Sequence, residues 1–215
     1  MILFGVRSPL IVDVEETLFR CHIAVTAAVS ISGVPRLQDR SRLVDLAAFG
    51  APAGSPFLAT AFAPRRRRAL AEQALALGLV PAPALIDPTA VLPRHLRVGA
   101  GSFINAGVVI GAAGLIGDHV LVNRAASLGH HVLIADFVSI GPGATLAGNI
   151  RVGEGAMIGA GATILPNVRI GENALVSAGA VVRKHVPAGA LVAGHPATLV
   201  SAAPGRSSLD MDDGE

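Results

Sequence analysis

The chain has 215 residues, a formal net charge of +2, 52% hydrophobic and 15% charged residues, and neither Trp nor Tyr. This length suffices for one large domain or two small ones, and the high apolar content argues against disorder over most of the chain. The low net charge and the lack of stacking aromatics exclude a broad nucleic-acid-binding surface.

The compartment is predicted from the cysteine content and the start of the chain. Cys21 is the only cysteine, so no intramolecular disulfide can form, which fits a reducing environment. The opening MILFGVRSPLIVDVEE is interrupted by Arg7 and lacks the pattern of a signal peptide. No apolar run is long enough to span a membrane. We therefore expect a cytoplasmic protein with neither a membrane nor a nucleic acid as partner.

Residues 1–84 predict a small parallel α/β domain of Rossmann-like type, because strand patterns alternate with helix patterns. MILFGV is the first strand, and SPLIVDVEETLFRCH is a helix with Ser8 as its cap and Pro9 at its first position. IAVTAAVSI is a second strand, and residues 42–50 predict a short helix. PFLATAFA is a third strand that leads into the helix RRRRALAEQALALG, and PAPALIDP is a hinge into the next domain.

From Leu85 the sequence repeats every six residues, in seventeen hexads without an insertion up to residue 186. The second position is aliphatic in every hexad, the last is Ala or Val in thirteen, and the third is Gly in eight. A period of six fits a triangular coil of three short faces, so residues 18 apart are stacked neighbours at roughly 4.8 Å. We expect an all-β, left-handed parallel β-helix over residues 85–200, with the third-position glycines at turns of positive φ. Residues 201–215 are expected to form a disordered acidic tail.

The clearest departure from the repeat is SLGHHV, where His130 and His131 occupy corner positions. The 18-residue spacing places Gly148 one coil beyond His130, and Asn149 one coil beyond His131. A histidine beside a glycine backbone combines a base with a free N–H, two requirements of acyl transfer. The alternative is a pair of solvated corner histidines.

Such hexads resemble those of the hexapeptide-repeat acyltransferases, trimeric enzymes that use acetyl-CoA or related acyl carriers. The stretch NRAASLGHHVLIADFVSIGPGATLAGNIRVG, residues 123–153, is similar to the branch that acetylates sialic acids and nucleotide-linked amino sugars. In that branch a small N-terminal α/β domain binds the sugar nucleotide. The resemblance therefore implies a homotrimeric acetyltransferase with acetyl-CoA as acyl donor and a sugar or nucleotide sugar as acceptor, acting in surface glycan synthesis.

The resemblance also implies roles for individual residues. His130 matches the general base, and Gly148 matches the backbone N–H donor to the oxyanion. The cofactor-binding candidates are Ala160 and Ala178 along the pantetheine channel, with Gly194 and Pro196 in VAGHPATLV near the CoA nucleotide. The substrate-binding candidates are Asn123, His131, Ser139, Arg7 and Ser8. An asparagine ladder with Asn105 is the structural alternative for Asn123.

Three features depart from the family pattern. His131 stands where a carboxylate usually orients the base, Ser139 stands where many relatives have a second histidine, and GVRSPL replaces a Gly-rich phosphate loop. The run Arg65–Arg68 opens a helix, where positive charge opposes the dipole, so it indicates either a nearby anion or a solvated basic face.

Two other functions stay open at this point. A non-catalytic or decayed β-helix protein would bind a sugar nucleotide or a partner without turnover. A γ-type carbonic anhydrase would need histidines five apart in one coil, and the chain has no H-x-x-x-x-H, so we expect no metal site.

Overall fold

A computed structural model describes residues 1–201, and the predicted acidic tail lies outside the described residues apart from Ser201. The chain begins with a five-stranded, all-parallel sheet in the order β3-β2-β1-β4-β5. Its elements are β1 Ile2–Phe4, α1 Ile11–Arg20, β2 Ala27–Ser30, β3 Leu43–Asp45, a 3₁₀ turn Leu46–Ala48, β4 Pro56–Ala59, α2 Pro64–Ala76 and β5 Val80–Pro81.

The two helices cover opposite faces of this sheet because side chains alternate along each strand. Leu3 on β1 packs in one cluster with Ile11 of α1, whereas Phe4 packs in another with Leu70 of α2. This strand order and the helices on both faces are those of a Rossmann-like sheet, as the alternating pattern predicted.

Three local predictions in this region are wrong. Ser8 does not cap α1: the helix begins at Ile11, and the buried Ser8 Oγ has no hydrogen-bond partner within residues 1–201. The segment 42–50 forms strand β3 and a 3₁₀ turn instead of a helix, because the N–H of Ala28 on β2 donates to the Arg42 carbonyl and starts the pairing. The segment PAPALIDP contributes to β5 and β6 and is therefore paired rather than free as a hinge.

The remaining chain is a parallel β-solenoid, which confirms the predicted fold class. Sixteen of the seventeen hexads carry a two-residue strand at their first two positions, and the other pairs through a bridge at Val91. The strands are β6 Leu85–Ile86, β7 Arg97–Val98, β8 Phe103–Ile104, β9 Val109–Ile110, β10 Leu115–Ile116, β11 Leu121–Val122, β12 Ser127–Leu128, β13 Leu133–Ile134, β14 Ser139–Ile140, β15 Thr145–Leu146, β16 Arg151–Val152, β17 Met157–Ile158, β18 Thr163–Ile164, β19 Arg169–Ile170, β20 Leu175–Val176 and β21 Val181–Val182.

These strands form three faces that the chain visits in turn. Face 1 is β6-β8-β11-β14-β17-β20, extended by β22 Leu191–Gly194 and the antiparallel β23 Ala197–Ser201; face 2 is β9-β12-β15-β18-β21; face 3 is β7-β10-β13-β16-β19. Paired residues are 18 apart, as in Leu133 with Arg151. Second- and last-position side chains fill one continuous core from Ile104 to Val192.

The third-position glycines have a different role from the one predicted. Positive φ occurs at the fifth position of the hexads, for example 67° at Gly107 and 56° at His131, and not at the third. At the third position a Cβ would lie 2.7 Å from the next coil at Gly129 and 2.6 Å at Gly153. Glycine is therefore required there by the close approach of stacked backbones.

The N-terminal domain packs on face 1. Leu85, Phe103 and Leu121 of this face share a buried cluster with Leu3 and Ile11. The corner between faces 2 and 3 consequently lies on the opposite side of the triangular coil from the N-terminal domain of the same chain.

Candidate active site

His130 lies at this far corner, on the turn from β12 to β13, with its side chain exposed. Its ring lies directly against Gly148 of the next coil: a Cβ on Gly148 would be 2.6 Å from both Cε1 and Nε2 of His130. Any other residue at position 148 would displace the ring. The predicted stacking of these two residues is therefore present, and Nε2 faces the Gly148 backbone.

The N–H of Gly148 has no hydrogen-bond acceptor within residues 1–201. At the same hexad position elsewhere in the solenoid, a carboxylate accepts a hydrogen bond from the backbone N–H. Asp118 Oδ1 accepts from the N–H of Ala100, and Asp136 Oδ1 accepts from the N–H of Asp118, both at 2.8 Å. The corner at Gly148 thus keeps a backbone donor available next to a ring nitrogen, which is the pair of groups that stabilises a tetrahedral oxyanion and accepts a proton.

His131 fills the place of the missing carboxylate in a way that the sequence did not indicate. The Nδ1 atoms of His130 and His131 are 2.9 Å apart, and the two rings meet edge to face. One of the two nitrogens must carry a proton for this contact to be a hydrogen bond. When His130 donates, its Nε2 keeps the lone pair beside Gly148, which is the tautomer that a general base needs.

Two predicted substrate-binding residues are instead buried in the contact between the domains. Asn123 Oδ1 accepts from Asn105 Nδ2 at 2.8 Å, so the asparagine ladder, the structural alternative for Asn123, is present. The fully buried Ser139 donates to the Phe62 carbonyl and accepts from Arg67. Neither side chain reaches the His130 corner, because both belong to face 1 hexads under the N-terminal domain.

The predicted cofactor-binding residues lie at other places on the solenoid. Ala160 and Ala178 are exposed and stacked, at the corner between faces 1 and 2. Gly194 and Pro196 are exposed in the hairpin that ends the described chain. One chain therefore does not bring these residues to the same corner as His130.

The N-terminal domain has a cleft of about 220 Å³ at the carboxyl ends of β1 and β2. Arg7, Ser32 and Arg66 are among the residues that line it, and ligands of open α/β sheets bind at this edge. Gly5, which also lines the cleft, has a φ of 86° and lies close to the Leu70 side chain, so glycine is favoured at this position. Ser8 does not line the cleft, so its predicted substrate contact is not supported, whereas that of Arg7 is compatible with the geometry.

Arg65–Arg68 prove to be neither one anion site nor one solvated face. Arg67 is buried and donates to six acceptors at 2.7–3.0 Å, among them the Ser139 hydroxyl and the His119 carbonyl. Burial lowers the pKa of Arg67 to about 9, so it stays charged at neutral pH. Arg68 pairs with Glu154 of the solenoid. Two of the four arginines thus join the domains.

Neither a membrane-crossing helix nor a metal site is apparent in the described part of the chain. None of its helices is long and apolar enough to cross a bilayer. No three His, Cys, Asp or Glu side chains within residues 1–201 are grouped as metal ligands.

Comparison with known proteins agrees with this architecture. Residues 149–184 match the family of bacterial transferase hexapeptide repeats. The acetyltransferase domain of PglB from Neisseria gonorrhoeae, in complex with acetyl coenzyme A, is 30% identical over 93% of this chain and 98% of that one, with a TM-score of 0.81. A variant of perosamine N-acetyltransferase from Caulobacter crescentus, in complex with CoA and GDP-perosamine, is 29% identical over 93% and 96%, with a TM-score of 0.83. WeeI from Acinetobacter baumannii, at 24% identity over 93% and 98%, shares the fold with a TM-score of 0.79.

The chain belongs to the hexapeptide-repeat acyltransferases. This confirms the predicted family and the predicted class of enzyme, an acetyltransferase. The acetyl-CoA and CoA in these neighbours are consistent with the predicted acyl donor. No curated protein matches the chain in a sequence search.

Proposed function

We propose that this protein transfers the acetyl group of acetyl-CoA to the amine of a nucleotide-linked amino sugar. The observation that carries the proposal is the stacking of His130 on Gly148, which puts a basic nitrogen and an unused N–H at one corner. Its support comes from relatives whose structures contain acetyl coenzyme A, or CoA together with GDP-perosamine.

His130 acts as the general base in this mechanism. Its Nε2 accepts a proton from the sugar amine as the amine nitrogen bonds to the thioester carbonyl carbon, and the N–H of Gly148 donates to the resulting oxyanion. When the tetrahedral intermediate collapses, the C–S bond breaks, and the sulfur takes the proton from His130 Nε2. The products are the N-acetyl sugar and the CoA thiol, and His130 is restored.

His131 acts through His130 as a positioning residue. The Nδ1–Nδ1 contact holds the ring with Nε2 toward Gly148, and His131 Nδ1 accepts a hydrogen bond from the Nδ1–H of the His130 imidazolium that forms during transfer. A neutral imidazole stabilises that charge less than a carboxylate would. We therefore expect His131→Asp to retain acetyl transfer and to move the acid limb of kcat/KM to higher pH, whereas His131→Ala lowers kcat without such a shift.

A homotrimer would complete the site. The His130 corner lies between faces 2 and 3, Ala160 and Ala178 lie between faces 1 and 2, and the Arg7 cleft belongs to the domain on face 1. Neighbouring chains around a threefold axis bring different corners together, so donor, acceptor and base meet between subunits. A monomer in solution that retained full activity would contradict this arrangement.

Release of the CoA thiol with a panel of amino-sugar nucleotides tests the proposal. His130→Ala should lower kcat/KM by roughly 10²–10⁴-fold, the usual range for loss of a general base. His95→Ala, an exposed histidine of the same solenoid, is the matched control and should behave as wild type. Unchanged turnover in His130→Ala would refute the mechanism, and CoA binding without turnover of any acceptor would favour a decayed, non-catalytic protein.

A further inference from the structure

The buried histidine His119 lies in the contact between the N-terminal domain and the solenoid, and the proposed mechanism does not use it. It stands on the turn from β10 to β11, at the corner between faces 3 and 1, and is only 5% exposed. Its ring stacks between Phe57 of β4 and Phe137 of the next coil, with ring centroids 6.0 and 4.9 Å away. One imidazole therefore joins a strand of the N-terminal domain to the solenoid.

The imidazole of His119 has a buried polar atom that is not satisfied. Its Nδ1 lies against Gly101 of the preceding coil and has no hydrogen-bond partner within residues 1–201. Phe137 occupies the same hexad position one coil further on, with a φ of 56° against 52° for His119. A phenylalanine at position 119 would therefore fit the backbone and the ring stack without burying a polar atom, so packing alone does not explain the histidine.

The positive charges beside this ring come from α2. The buried Arg67 guanidinium donates to the His119 carbonyl at 2.8 Å. Arg68 lies over the Phe137 ring, with its guanidinium carbon 4.1 Å from the ring centroid. The other two elements against the imidazole, β4 and the turn at Gly101, carry no charged residue. A proton on His119 would thus add a further positive charge beside the two of α2.

Two carboxylates lie near the same ring and act in the opposite direction. Asp118 belongs to the turn of His119 and is exposed, and Asp136 belongs to the next coil and is half-buried. Each already accepts a hydrogen bond from a backbone N–H at 2.8 Å. Because water screens these carboxylates more than the buried Arg67, they do not prevail. Burial first, and the charge of Arg67 second, lower the pKa of His119 from its ordinary value.

We infer that the contact around His119 is a pH-sensitive latch, which holds the N-terminal domain on face 1 while the imidazole is neutral and loosens when it is protonated. The neutral ring stacks on its aromatic neighbours, whereas the charged ring lies beside Arg67 with no acceptor for its Nδ1 proton. Loosening the contact frees the domain that carries the Arg7 cleft from the solenoid that carries His130. The latch does not depend on which acceptor is acetylated.

The latch responds to pH just below neutrality. A solvent-exposed histidine has a pKa of about 6.5, and the pKa of His119 in the closed contact is lower, so the opened state binds the proton more tightly. The stability of the contact is therefore fully present above about pH 6.5 and is lost as the pH falls below that value. With this exposed pKa, the equilibrium constant for opening rises about tenfold between about pH 7.5 and pH 5.5.

Two variants remove the titrating group, and a third serves as the control. His119→Phe keeps the ring stack, and the smaller side chain of His119→Leu keeps the test valid if phenylalanine does not fit. His95→Phe replaces an exposed histidine of the solenoid and is the matched control. Detachment exposes part of the N-terminal core, because Leu3 and Ile11 share a buried cluster with face 1. Hydrogen exchange of the amides of α1 and β1 therefore reports the opening.

Hydrogen exchange of the whole chain at about pH 7.5 and pH 5.5, corrected for intrinsic exchange rates, tests the latch. We expect protection in α1 and β1 to fall about tenfold at the lower pH in wild type and in His95→Phe, and to stay constant in both His119 variants. The amides of Thr145 and Thr163 on face 2, which donate to the next coil at 2.8 Å, should keep their protection in all four proteins. An equal fall on face 2, a fall that persists in both His119 variants, or wild-type protection that does not change with pH would overturn the latch.

Discussion

Removing the Arg67 side chain should uncouple the N-terminal domain from the solenoid. In Arg67→Met the six hydrogen bonds of the guanidinium are lost. The carbonyls of Ala61, His119 and Phe137 have no other donor within residues 1–201. A buried acceptor without a partner costs about 1–3 kcal/mol, and the apolar Met side chain offsets part of this, so we expect a loss of about 4 kcal/mol.

Such a loss is a large share of the stability of a typical domain, about 5–15 kcal/mol. Because the chain has no Trp and no Tyr, urea unfolding is best followed by far-ultraviolet circular dichroism. Arg65→Met, an exposed residue of the same helix turn, is the control. Arg67→Lys, which keeps the charge but reaches fewer acceptors, should lie between wild type and Arg67→Met. A loss below about 1 kcal/mol in Arg67→Met would show that water replaces the guanidinium, and would refute this estimate.

Two further predictions concern stability. Burial alone would raise the pKa of Asp87, but hydrogen bonds from Thr89, Thr17 and Arg20 lower it to about 2. At pH values above the ordinary aspartate pKa near 4, the carboxylate thus contributes about 2 kcal/mol to the free energy of unfolding. In acid titrations the difference in this free energy between wild type and Asp87→Asn should disappear as pH falls from about 4 to about 2. A constant difference would contradict this. Gly153→Ala, whose Cβ would lie 2.6 Å from a backbone nitrogen, should lower the melting temperature more than Gly143→Ala does. Gly143 has a φ of 65°, but a Cβ there would meet open space. Equal losses would contradict close backbone approach as the reason for the third-position glycines.

The solenoid was predictable because its period is strict and its contacts repeat. An aliphatic second position in every hexad fixes which side chains enter the core, and the spacing of 18 fixes which residues stack. The role of the third-position glycines was not predictable from the period alone. Glycine is favoured both where φ is positive and where two backbones approach closely, and only the structure distinguishes these two reasons.

The N-terminal domain was less predictable because tertiary contacts determine its shorter elements. Residues 43–48 have a sequence that suits a helix, but pairing with β2 at the sheet edge makes Leu43–Asp45 a strand. Pro81 lies in the edge strand β5, the kind of position that tolerates a missing N–H. Neither outcome follows from local propensity.

The candidate site was likewise predictable from the sequence only in part. His130 and Gly148 could be paired by arithmetic, since residues at one hexad position form a column along a corner. The same spacing of 18 also aligns Arg151 with Arg169 and Asn149 with Asn167. Asn123 and Ser139 are buried because the N-terminal domain covers face 1, and the six-residue repeat does not indicate which face is covered. The sequence therefore predicts which residues stack in neighbouring coils, whereas only the structure shows what packs against each face.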